Sequence, residues 1–320
     1  MNFAPSVYEH AASFLNKSPW EVSRNGDLIF EAHLEAHKVY KHSPIVVGID
    51  IYNLEAEAYG AKIEDAGGNE TPAVLEHICS TLSEIRALPP FNSKSERIPI
   101  VIEAAKRLQK ELPNADIRIP VSGPFSIASL LLGFDTLLCE AIMNPEDVRK
   151  ALDFLVGNQE VFCREIVSKG LGVAFFESAA APPLMSPDTF REIELPALKR
   201  MIKNVSKITG SPVPCIIGGN TFPILDEILE TGTDYVICPY ETDQKAFMEK
   251  MRERSDVMTR INMSPKAMTQ GNDKLFNEEI SRVMELAKGR EKVCIGTGGL
   301  AYDVIPGNVL KAMDFFKKEN

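Results

Sequence analysis

The 320-residue chain has no histidine after His77, no C-x-x-C pair, no basic run and no long apolar stretch. Each absence excludes something. With His10, His33, His37, His42 and His77 all in the first quarter, a metal site or general base in the later part must do without imidazole. The six cysteines, at positions 79, 139, 163, 215, 238 and 294, are scattered, which points to free thiols in a reducing compartment rather than a disulfide framework. A net charge of −10, from 35 Lys and Arg against 45 Asp and Glu, argues against a protein built to hold a phosphate backbone, so no nucleic-acid partner is expected. Apolar runs such as Ile127–Leu132 fall far short of the roughly 18 residues that span a bilayer. The N-terminus reads as neither a secretory leader nor a transit peptide. These features predict a cytoplasmic protein without a membrane partner.

What is present is an ordinary globular composition, 44% apolar and 25% charged, long enough for one large domain or two small ones. Short β-branched runs bounded by Gly, Pro or Asp recur at Pro44–Ile49, Ile117–Val121, Gly172–Phe176, Val213–Ile217, Tyr235–Ile237, Val257–Ile261 and Lys292–Ile295. Helical patterns lie between them: Ile100, Ala104, Ala105, Leu108 and Leu112 fall at three- and four-residue spacing, as do Val148, Leu152 and Leu155. Asn144-Pro145, Ser186-Pro187 and Ser264-Pro265 each place a capping side chain before a proline suited to the first helical position. This alternation means a parallel sheet. One more strand, hidden in the poorly patterned N-terminal half, closes an α/β (β/α)8 TIM barrel. The alternative, an open doubly wound sheet, is weakened because no G-x-G-x-x-G opens a helix after a strand. Residues 1–43 are expected to form a helical extension packed on a barrel of residues 44–320.

In a barrel the site lies at the C-terminal ends of the strands. Those ends form a polar, glycine-rich rim. Asp50 and Glu177 each follow an apolar run, so each is a candidate acid or base at the mouth, with a helix cap or an ion pair to Arg260 as the structural alternative for Glu177. Tyr52, Ser122, Phe125, Asn220, Tyr240, Glu241, Arg260, Asn262, Thr297 and Tyr302 are the substrate-binding candidates at or near that rim. A separate pattern, Glu31-x-His33-x-Glu35-x-His37, puts two histidines four apart on a helix, as a metal chelate would. It departs from H-E-x-x-H, and a solvated charged face is the preferred reading.

Several motifs together resemble the uroporphyrinogen decarboxylase superfamily. They are Ser122-Gly123-Pro124-Phe125-Ser126-Ile127-Ala128 with Leu131-Leu132-Gly133-Phe134, Asn144-Pro145-Glu146, Met185-Ser186-Pro187-Asp188-Thr189-Phe190 with Leu195-Pro196, and Gly219-Asn220-Thr221. The resemblance runs from about residue 44 to the C-terminus and implies a (β/α)8 barrel, either a haem-pathway decarboxylase or a corrinoid-dependent methyltransferase. Gly48 to Gly60 looks more like the methyltransferase branch.

Parts of both patterns are missing. The decarboxylases grip a polycarboxylate with paired N-terminal arginines, yet Arg24 is the only arginine before Asp50. Their tyrosine corresponds to Leu130 and their late histidine to about Gly298, leaving Asp50 as the match to their aspartate. The thiol methyltransferases hold zinc through H-x-C-G-N-T and a later cysteine, and those positions correspond to Ile216, Gly218 and Gly298. Cys215 has the wrong parity to substitute, and Cys294 lies about 13 Å below the last position. Zinc is therefore not expected. The resemblance then implies a methyltransferase component acting on a small molecule without a zinc-thiolate step, with a corrinoid carried by a partner protein, and suggests a homodimer. The alternatives are a decarboxylase or lyase on a small carboxylate, using Asp50 with Arg260 as anion anchor, and a non-catalytic binder of a tetrapyrrole or small ligand.

Overall fold

The computed structural model describes residues 2–270 and 272–318. Eight parallel strands form the barrel: β1 (Phe3–Ser6), β2 (Ile45–Val46), β3 (Ile117–Ser122), β4 (Gly172–Phe176), β5 (Cys215–Ile216), β6 (Tyr235–Cys238), β7 (Met258–Asn262) and β8 (Val293–Gly299). All seven strands expected from the sequence are present, and the eighth is Phe3–Ser6. The ladders run β1-β8-β7-β6 and β2-β3-β4-β5, without a ladder between β1 and β2 or between β5 and β6. The segment before residue 44 is thus not only a helical extension. Besides the helices Pro19–Ser23 and Gly26–Tyr40 it supplies a barrel strand, in register Phe3 with Ile295 and Ala4 with Gly296.

Helices cover the outside of the sheet. Proline occupies the start of the Pro145–Ser168, Pro187–Thr189 and Pro265–Thr269 helices, as expected, but only Ser186 also caps through its side chain, accepting from the Thr189 amide. Asn144 instead donates to Glu140, and the Ser264 amide donates to Glu279. The period-two alternation of strands splits the interior in two. Phe175 and Cys215 join the large core between sheet and helices, whereas Val46, Ala174, Phe176 and Ile216 form a small cluster with Tyr8 inside the barrel. Among the described residues no single helix is long and apolar enough to cross a membrane, and the apolar pair Pro124–Leu132 and Phe134–Met143 is bent by 113°.

Candidate active site at the barrel mouth

A cavity of about 620 Å³ opens at the C-terminal ends of the strands. The strand ends bring Asp50, Tyr52, Glu241, Arg260 and Asn262 together around it, joined by Tyr8, Glu9 and Ser178. Its charges are unequal: Glu9, Asp50 and Glu241 line it on the acidic side and Arg260 is its one lining cation among the described residues.

Arg260 projects inward from β7 and is only 6% exposed. It is accommodated because residue 296 is glycine, whose missing Cβ would collide with the Arg260 chain and the Ala4 carbonyl. Its Nε donates to Asn262 Oδ1 at 3.1 Å, and among the described residues no carboxylate pairs with it. A buried guanidinium without a counter-charge is costly to hold, and a ligand anion is the natural compensation. Asn262 has its oxygen committed to Arg260, so its amide hydrogens remain available. Across the mouth, Tyr52 donates to Ser178 Oγ at 2.9 Å and the Gly218 amide donates to the same oxygen at 3.0 Å. Ser178 therefore accepts twice and keeps its own hydroxyl proton to donate. Burial pushes the Glu9 carboxyl up to about 7, aided by the nearby Glu70 charge, which places its proton exchange at neutral pH.

Asp50 lines the cavity, but its carboxylate is not free. Arg97 clamps it with two bonds of 2.7 Å, and the same guanidinium reaches Glu57, which also pairs with Arg24. In the lyase alternative Asp50 acts while Arg260 anchors the substrate anion; here Asp50 is tied into this buried network instead, and Asn53 holds it from a third direction.

Glu177, expected as the acid at the mouth, points the other way. Ala174 and Phe176 face the barrel interior, so Glu177 falls on the helix side. There its Oε1 accepts from the Ser126 amide at 2.9 Å and the Ser126 hydroxyl at 2.8 Å. Ser126 lies in the first turn of the Pro124–Leu132 helix, so the helix-cap alternative is the one realised and the Arg260 pair is not; Glu177 also meets Glu194, set against it by the π-helical turn Phe190–Glu194. Burial raises both carboxyls, and Glu194 most of all keeps its proton, which it shares with Glu177. Unfolded carboxyls lose protons near pH 4.5 while the folded pair holds on longer, so the unfolded state binds fewer protons and stability falls as pH rises from there through neutrality. The buried histidines, whose folded pKa values lie below the ordinary imidazole value, act in the opposite sense below about pH 7, so the pair is read from the difference between wild type and a Glu194 variant in urea unfolding from about pH 5 to about pH 8. Glu194→Gln keeps a donor for Glu177 and should flatten the slope by up to about 1.4 kcal/mol per pH unit. An unchanged slope would show that the pair does not hold a proton.

Gly123 is part of the same arrangement. A Cβ there would overlap the Glu177 carboxylate, so Gly123→Ala should destabilise the fold by about 1–3 kcal/mol, measured as a lower urea midpoint. Wild-type stability in that variant would mean the carboxylate moves freely.

The other sequence candidates lie elsewhere. Ser122 is buried, its amide donating to Glu55 at 2.7 Å, and Phe125 sits wholly in the helix-side core. Asn220 accepts from Thr242, Tyr240 stacks under the Arg282 guanidinium, and Thr297 accepts from the Ser6 amide. Tyr302 lies partly buried outside the cavity, its carbonyl near the His10 ring. Of the E-x-H-x-E-x-H pattern, Glu31 and Glu35 face outward but His33 is buried, its Nε2 accepting from the Gly48 amide, and His37 meets the His42 carbonyl. Sequence reasoning missed Tyr8, Glu9 and Arg97. The first two follow a strand too short and proline-broken to read, and Arg97 stands 47 residues from its partner without a motif.

The zinc of the thiol methyltransferase pattern has no ligands here. Ile216, Gly218 and Gly298 all line the mouth, offering an alkyl chain and two bare backbones. Among the described residues no three His, Cys, Asp or Glu side chains gather as a metal would need.

A barrel of eight parallel strands with a polar cavity at their C-terminal ends has the architecture of a (β/α)8 enzyme. The chain belongs to the uroporphyrinogen decarboxylase (URO-D) family, whose pattern matches residues 4–318 and so takes in all of β1 but Phe3. Methylcobamide:CoM methyltransferase MtaA of Methanosarcina barkeri is 28% identical over 155 residues, 48% of this chain and 46% of that protein. The chain thus aligns with about half the length of that relative. Uroporphyrinogen decarboxylase 2, chloroplastic, of Arabidopsis thaliana is 24% identical over 288 residues, 86% of this chain and 70% of that one. A methyltransferase from Methanosarcina mazei has the same fold, with a TM-score of 0.81 at 22% identity over 98% of this chain and 92% of its own.

Proposed function

We propose that this chain is a component of a corrinoid-dependent methyl-transfer or demethylation system that acts on a small molecule without a zinc-thiolate step. The observation that carries the reading is the mouth itself: one buried guanidinium without a carboxylate partner, in a cavity of about 620 Å³ that also holds three carboxyl side chains. A porphyrinogen with many carboxylates would meet a single unpaired cation there, beside Glu241, Glu9 and the Arg97-paired Asp50, too little positive charge to hold it. A compact ligand with one anionic or strongly accepting group fits instead. Arg260 and Asn262 would hold that group, and Ser178 and Tyr52 would bound the opposite side.

A corrinoid carried by a docked partner would take or supply the methyl group. This chain's part is to orient the methylated heteroatom and manage its proton. As the carbon–heteroatom bond breaks, the electron pair stays on the heteroatom and accepts the Glu9 proton; in the reverse direction Glu9 removes it. A carboxyl titrating near 7 suits both directions. The test is a spectrophotometric screen in which the protein is mixed with cob(I)alamin and a series of small methylated acids, ethers, amines and thiols. Conversion to methylcobalamin with one of them supports the proposal. No conversion with any donor, together with CO2 release from a small carboxylate, would replace it by the carboxy-lyase reading.

A further inference from the structure

Below the mouth, inside the barrel, lies a second and separate space of about 80 Å³. Taking roughly 30 Å³ per water, it holds two or three waters, or one ion of three to four heavy atoms. Its lining is one-sided. Arg260, Tyr8, Ser6, Tyr235 and His42 contribute polar side chains, Arg118 closes one edge while paired to Asp116, and no carboxylate of the described residues takes part.

One of these groups lacks a counter-charge and another lacks any hydrogen-bond partner. Arg260, which lines both cavities, has no ion pair among the described residues, and its one side-chain hydrogen bond, from Nε, goes to Asn262. His42 is 5% exposed, and neither ring nitrogen has a hydrogen-bond partner. Tyr235 has only a 4.0 Å contact to Cys294 Sγ for its hydroxyl. Native proteins rarely leave a buried imidazole unsatisfied beside a void that a guanidinium without a counter-charge also lines. Water alone would satisfy the donors and leave the charge uncompensated.

We propose that the barrel core is a binding site for a small monovalent anion of the size of formate, nitrate, bicarbonate or bromide, held by Arg260 from the mouth side and facing His42 at the other end. The Tyr8 and Tyr235 hydroxyls complete the donor set, the Ser6 hydroxyl being committed to the Thr297 carbonyl. The site is distinct from the substrate position, because Ala174, Val46 and His42 line the core and not the mouth. It stands whether or not the chain transfers methyl groups.

The test compares thermal unfolding of the full chain in sodium gluconate, whose anion is too large for the space, with formate or nitrate at the same ionic strength. The expected result is a saturable rise of a few degrees in wild type, reduced in His42→Asn and absent in Ala174→Leu, which fills the space without touching the mouth. An equal rise in Ala174→Leu, or no rise in wild type, overturns the site. Should Ala174→Leu fail to fold, crystals grown with bromide decide the matter. An anomalous peak between Arg260 and His42 supports the proposal, and peaks confined to the surface contradict it.

Discussion

Replacing Arg97 by methionine should lower the unfolding free energy by about 3–5 kcal/mol, the loss expected when one partner of a buried ion pair is removed and the others stay charged. Asp50 and Glu57 are both buried and both lean on this one guanidinium, with Arg24 the remaining cation near Glu57. Methionine keeps the chain volume but leaves two carboxylates facing each other's field in a low-dielectric site. The double variant Arg97→Met with Asp50→Asn should recover part of the loss, since the amide no longer needs a counter-charge. Urea unfolding of the three proteins measures both effects. A loss below about 1 kcal/mol in Arg97→Met would place the network among solvent-screened pairs that contribute little. Because Asp50 forms part of the mouth wall and bonds Asn53, which also holds the Pro72 carbonyl, the same variant should loosen the Lys62–Glu64 and Ala73–Glu76 hairpin beside the cavity.

The second large effect concerns the ligand. Arg260→Met removes the only lining cation of the mouth among the described residues, so affinity for an anionic substrate should drop by the roughly 2–5 kcal/mol of a desolvated charge pair, about 30- to several-thousand-fold. Arg260→Lys retains the charge but not the planar fork, and cannot keep the Nε bond to Asn262. It should fall between wild type and Arg260→Met, with Asn262 freed to turn. The fold is expected to survive either change, because the guanidinium has no carboxylate partner to orphan.

The fold was legible because its signals are local. Seven strands carry β-branched runs that end in turn residues, and their alternation with helical spacing dictates a parallel sheet. β1 was not, for a physical reason visible in its ladder. It pairs only with β8, so Pro5 needs no amide donor toward β2, and a four-residue strand with a proline leaves no alternation to read. The site was legible only at the positions where a strand's last inward residue is also polar: Asp50, Tyr52, Arg260 and Asn262 reach the cavity. Glu177 shows the limit of reading strand ends without parity. One residue past the inward Phe176, it turns to the helices, where an extra residue in the Phe190–Glu194 turn brings it a partner no spacing rule would choose. Charge pairing was illegible throughout. Asp50 finds its cation 47 residues away, and Arg260, the ion-pair partner in the structural alternative for Glu177, finds no carboxylate among the described residues.

The most direct measurement of the central claim is single-turnover methyl transfer to cob(I)alamin, followed by its absorbance, with wild type and Arg260→Met side by side on whichever small anionic donor the screen identifies. Methylcobalamin formation is expected with wild type, and a rate at limiting donor reduced about 30-fold or more in Arg260→Met. Equal rates in the two proteins, or turnover that accepts a polycarboxylate as readily as a compact monoanion, would contradict it.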